Sequence, residues 1–123
     1  MNKICTDIEQ SKKLIELGID VNTSDMFWDT AEPLERIVPT VGPISAYYDM
    51  EDWAIPAWSL SALIELMPER IKIGEELSFC LASKKSSTGF SFGYNLNGST
   101  FVKDNSLDAA FEMVCWLKEN GKI

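Results

Sequence analysis

The groups able to do acid–base, nucleophilic or metal chemistry in this chain are its carboxylates and three thiols, because histidine is absent. Without imidazole there is no Ser-His-Asp triad, no Cys-His dyad, no His-bearing zinc site and no His-based pH switch. Paired carboxylates remain. Asp25 and Asp29 bracket Met26-Phe27-Trp28, and Asp49, Glu51 and Asp52 cluster just before Trp53 and Trp58. Two carboxylates across a cleft can serve as the acid and base of a glycosidase. A carboxylate hydrolase built this way requires Asp49, Glu51 or Asp52 to converge with Asp25 or Asp29. Adjacent carboxylates also offer the oxygen ligands that Ca²⁺ takes. Residues 49–52 lack the Asp-x-Asp-x-Asp-Gly spacing and distal Glu of a calcium-binding loop, so they read as a solvated acidic turn, and no metal is expected.

Aromatic rings beside these acids suit two kinds of surface. Trp28, Trp53 and Trp58 can cover the C–H faces of a sugar while carboxylates accept its hydroxyls. Trp28, Asp29, Tyr47, Tyr48, Asp49, Glu51, Asp52, Trp53 and Trp58 together can also form a groove for a basic or aromatic-rich protein segment, where cation–π contact adds to charge. The same rings can instead fill a small core with one polar edge outward. Other nucleophile patterns are thin. Cys80 lies in an apolar strand-like run and Cys115 in an apolar helical stripe, both suited to inert burial. No G-x-S-x-G elbow surrounds any serine, and Gly89, Gly93 and Gly98 have turn spacing, not that of a phosphate loop. Lys84 and Lys85 read as a solvated turn. These patterns do not make the chain an enzyme, and no cofactor is expected.

Charge narrows the partners. Eleven Lys plus Arg face 19 Asp plus Glu, a net charge of −8, which argues against nucleic acid and anionic membranes, since both require a basic face. The charge is concentrated: residues 20–52 carry eight acids and one base, Arg36. Cys5, Cys80 and Cys115 are odd in number and widely spaced, so reduced thiols are expected. No signal-peptide core opens the chain, and the weakly polar stretch 54–68 is shorter than the roughly 20 residues that span a bilayer. A cytoplasmic location follows as an expectation. With 123 residues, a single domain over 1–123 is expected.

These residues must be positioned by the surrounding elements. Thr6 and Glu9 have capping-box spacing, Ile4, Ile8, Ser11 and Ile15 share a helical face widened by Leu14, and Gly18 can close the run, which predicts a helix over 6–17. Ser59 as N-cap, Leu60, Leu63, Ile64 and Met67 at helical spacing, and Pro68 as a stop predict a second over 59–67. Asn105 or Ser106 followed by the stripe Leu107, Ala110, Phe111, Val114 and Leu117 predicts a third over 106–120. The similar ends Leu14-Ile15-Glu16-Leu17-Gly18 and Leu117-Lys118-Glu119-Asn120-Gly121 read as shared capping chemistry. Between the helices, strands are expected at 26–28, 34–38, 44–48, 70–73, 77–83, 90–94 and 100–103, with turns at 84–89 and at Asn97-Gly98. Pro33, Pro39 and Pro43 restrict the early strands to sheet edges. Tight turns make neighbours antiparallel, so the expected fold is α+β, an antiparallel sheet with about three helices packed on it.

Three segments carry a resemblance: 8–20 with Thr23-Ser24-Asp25-Met26, then Ile55-Pro56-Ala57-Trp58-Ser59-Leu60-Ser61-Ala62-Leu63, then Asp108-Ala109-Ala110 through Met113-Val114-Cys115-Trp116-Leu117 and Glu119-Asn120-Gly121. They resemble a group of small uncharacterised proteins of Bacteroides-type gut anaerobes and their phages and prophages. The resemblance covers about half the chain, implies a mobile-element context and brings no functional residues with it. The expected function is a non-catalytic accessory or interaction protein that binds a basic protein partner through segment 20–58. The alternative is a small-ligand or carbohydrate-binding module using Trp28, Trp53 and Trp58.

Overall fold

The computed structural model describes residues 4–29, 38–41, 54–73, 77–80, 82–86, 89–93, 101–103 and 105–123. Helix α1 spans Ile8–Glu16. Its N-cap is Asp7: the Asp7 carboxylate accepts from Gln10 N–H at 2.7 Å, and Gln10 Oε1 accepts from Asp7 N–H at 3.1 Å. This reciprocal box lies one residue beyond the predicted Thr6/Glu9 pair, because Thr6 is fully buried and its hydroxyl is engaged elsewhere. Ser11 and Leu14 face inward, while Ile4 and Ile15 are 59% and 39% exposed, so the buried face is narrower than the predicted stripe. At the other end Gly18 takes φ +94°. Its N–H bonds Ile15 C=O and the Ile19 N–H bonds Leu14 C=O, the paired closure that a left-handed residue permits.

A 3₁₀ turn at Val21–Thr23 leads into β1, Met26–Asp29. Strands β2, Val38–Val41, and β3, Ala54–Ala57, pair antiparallel on either side of it, giving the order β2-β1-β3. Trp28 stands opposite Pro39 and Ile55, and Phe27 opposite Pro56. Both prolines therefore lie on the outer strands of this ladder, where a missing N–H is tolerated. The expected strand at 34–38 begins at Val38, with 34–37 outside the described residues, as is the expected strand at 44–48. Strand β3 was not anticipated.

Helix α2, Leu60–Leu66, is capped by Ser59, whose side chain accepts from Ala62 N–H. Ala62, Leu63 and Met67 are buried and Ile64 is 37% exposed. Strands β4, Arg70–Ile73, and β5, Leu77–Cys80, form an antiparallel pair. Strands β6, Ala82–Ser86, β7, Gly89–Gly93, and β8, Phe101–Lys103, form an antiparallel meander. The run 77–83 is thus divided between β5 and β6. Lys84 and Lys85, expected in a turn, are strand residues paired with Ser91 and Phe90. Phe92 pairs with Phe101, the hairpin that Asn97-Gly98 predicted, although that turn lies outside the described residues.

Helix α3, Ser106–Glu119, is capped by Asn105, which accepts from Asp108 N–H at 2.8 Å. It lies against β7, β8 and α2. Leu107, Ala109, Ala110, Met113, Val114 and Leu117 are each 2% exposed or less. Between its two ends the helix is partly exposed at Asp108, Glu112 and Trp116, four residues apart on one stripe. The helix is therefore buried over much more than the single face its stripe predicted, and small Ala109 and Ala110 let its neighbours approach. The main core joins it to Leu14, Ile19, Trp58, Leu63, Met67 and Ile71. Gln10 Nε2 donates to Asp108 Oδ1 at 2.9 Å, and Lys13 lies 4.0 Å from Glu119, which ties α1 to α3. The fold is α+β: the described residues form antiparallel strands and three α-helices, and none of these helices is long and apolar enough to cross a membrane.

Candidate functional site

The part of segment 20–58 that the structure describes is organised around Thr6, a residue the sequence offered only as a helix cap. Thr6 N–H donates to Trp58 C=O at 2.9 Å, and Trp58 N–H donates back to Thr6 Oγ1 at 3.1 Å. The hydroxyl also shares a 2.8 Å hydrogen bond with the buried Ser11 hydroxyl. The Thr6 carbonyl accepts from the Trp28 indole N–H at 2.8 Å. One buried residue thus ties both tryptophans to the start of α1. These two bonds join Thr6 to Trp58, which directly follows β3, with a side-chain oxygen standing in for a backbone carbonyl in one of them.

Trp58 is 0% exposed and sits in the main core; its indole N–H donates to Thr23 Oγ1 at 2.9 Å. It therefore offers no ring face to a ligand, and of the groove and core readings only the second fits it. Trp28 is half-buried against Cys5, Met26 and Ala57. Both indole donors are consumed inside the fold. Asp29 closes β1 opposite Val38 and Ala54. Tyr47, Tyr48, Asp49, Glu51, Asp52 and Trp53 lie outside the described residues.

Asp25 has a structural partner. Its carboxylate accepts from Ser59 N–H at 2.9 Å and from the Ser59 hydroxyl. The same hydroxyl accepts from Ala62 N–H at 3.2 Å. Asp25 therefore braces the start of α2 through its cap, and Ser59 has both its donor and acceptor functions engaged. Asp20 likewise accepts from Asn22 N–H at 2.9 Å and caps the 3₁₀ turn. Two of the eight acids in 20–52 are thus engaged within the fold, Asp20 as a cap and Asp25 as the support of one.

Cys115 is buried on α3, and burial pushes its thiol up to about 12, an effect that Lys13 opposes and Glu112 and Glu119 reinforce. A thiol held protonated this way is a poor nucleophile. Among the described residues no group of three carboxylate or thiol side chains gathers into a metal-binding set. An open depression of about 610 Å³ borders the outer face of α1 at Glu9, Lys12, Lys13, Glu16 and Leu17. Its volume would admit a small ligand, but four of those five side chains are charged, unlike the apolar lining such ligands require.

Thr6, Ser11 and Thr23 are the residues of this cluster that sequence reasoning missed. The available signal was a small polar residue, Ser11, standing between Ile8 and Leu14 on the inward face of a helix. Comparison of the chain with protein-family models, with curated proteins and with solved structures found no match.

Proposed function

We propose that this chain is a non-catalytic, cytoplasmic interaction protein of the mobile-element type that binds a basic protein partner through the acidic segment 20–58. The observation that carries the reading is charge segregation: eight acids and one base fall in 20–52, whereas the rest of the chain holds 11 acids and ten bases. A concentrated like-charged segment steers and selects a partner of opposite charge. The recognition chemistry is charge more than ring stacking, since Trp28 and Trp58 spend their indole donors within the fold. Asp49, Glu51 and Asp52, together with Asp29, are the acids assigned to the contact. The alternative module for a sugar or small ligand calls for open ring faces on Trp28, Trp53 and Trp58, and the burial of Trp58 weighs against it.

The test compares the parent with D49N/E51Q/D52N as immobilised bait for basic proteins of a bacterial lysate over a salt gradient. The expected result is a retained basic protein that elutes as salt rises and binds about tenfold less tightly to the triple variant. Retention indifferent to both salt and the triple substitution would refute the reading.

A further inference from the structure

We propose that Asn120-Gly121 is a latent deamidation site, held closed by the last turn of α3 and released when that turn opens. The chemistry requires only water and hydroxide. The Gly121 backbone nitrogen loses its proton and attacks the side-chain carbonyl carbon of Asn120. A new C–N bond closes a succinimide, and the bond to the side-chain nitrogen breaks, releasing ammonia. Water then opens the ring to aspartate or isoaspartate. Glycine obstructs this attack least because it carries no Cβ, and Asn120 is exposed.

In the folded chain both reacting groups are occupied. Gly121 N–H donates to Lys118 C=O at 3.2 Å, and Lys122 N–H closes the turn on Leu117 C=O at 2.8 Å. Asn120 Nδ2 donates to Trp116 C=O at 2.8 Å, which turns the side chain back along the helix. Gly121 holds φ +69° to allow this closure. Reaction therefore proceeds through the opened turn, and a helix end is where opening costs least. The product does not restore the original cap. A new carboxylate beside Glu119 lies at the negative end of the helix dipole, and isoaspartate lengthens the backbone at the cap. A transient opening next to the buried Leu117 thereby becomes a permanent change.

The full chain is incubated at mildly alkaline pH in native buffer and in urea, and the Asn120 peptide is followed by mass spectrometry. Asn97-Gly98, the other Asn-Gly pair, calibrates the intrinsic rate in urea. Deamidation of Asn120 is expected to be about tenfold or more slower in the folded chain. Lys122→Pro removes the closing N–H and is expected to raise the folded rate severalfold while circular dichroism shows the helices intact. Equal rates in buffer and urea, or no acceleration in a folded Lys122→Pro variant, would overturn the proposal.

Discussion

Replacing Thr6 with valine isolates the hydroxyl at the centre of the tryptophan cluster. Valine keeps the branched shape, and the two backbone bonds of residue 6, its N–H to Trp58 C=O and its C=O from the Trp28 indole, survive. What disappears is the acceptor for Trp58 N–H, at 3.1 Å, and the partner of Ser11 Oγ, at 2.8 Å. Thr6 and Ser11 are 0% exposed, so water does not replace the lost oxygen. Each buried group left unsatisfied costs about 1–3 kcal/mol. The added methyl recovers about 1 kcal/mol, which leaves a net loss of about 1–5 kcal/mol for the two groups together. That is a large part of the roughly 5–15 kcal/mol that holds a domain of this kind folded. Urea unfolding followed by tryptophan fluorescence should show a lower midpoint at unchanged slope. Adding Ser11→Ala to T6V removes one of the two orphaned groups and should return about 1 kcal/mol, a coupling visible in a double-mutant cycle. A T6V protein within about 0.5 kcal/mol of the parent would refute the assignment of Thr6 as the organising residue.

Two further outcomes follow from individual positions. Gly18→Ala should cost about 1 kcal/mol from backbone conformation alone, because at φ +94° its Cβ would meet Lys118 Cε at an ordinary 3.6 Å; thermal denaturation measures it, and an unchanged midpoint would contradict the left-handed closure. Cys115 should resist thiol reagents at neutral pH until the chain unfolds. Its thiol titrates near 12 in the fold against an ordinary 9.0, so the unfolded chain ionises first. Its contribution to stability is then complete below about pH 9 and declines as pH rises toward 12, which denaturation in a matched Cys115→Ala pair would reveal.

Features whose cause is local were legible in the residues. Ser59 and Asn105 cap the helices they precede, and the look-alike ends at Gly18 and Gly121 close by the same pair of backbone bonds. Cap and closure depend on a handful of consecutive residues, so composition and spacing suffice. The start of α1 falls one residue beyond expectation, with Asp7 taking the cap role expected of Thr6. The choice fell to Asp7 only because Trp58, 52 positions away, takes the Thr6 hydroxyl. Strand β3 escaped notice for a similar reason: Ala-Ile-Pro-Ala has no alternation, and it is a strand because β1 offers it a ladder. Lys84 and Lys85 looked like a turn until register placed them opposite Ser91 and Phe90.

The candidate surface divides along the same line. That the chain has no imidazole chemistry, that its acids concentrate in 20–52, and that three helices accompany antiparallel strands all follow from residue types and short spacings. Which tryptophan lies inside does not. Trp58 is internal because a segment 52 residues earlier supplies partners for its amide and carbonyl, and because α3 completes the core around its ring. Asp25 is a brace and not an available carboxylate because Ser59, 34 positions on, arrives with two donors. Burial and hydrogen-bond partnership arise between segments distant in the chain, and only the tertiary structure brings those segments together.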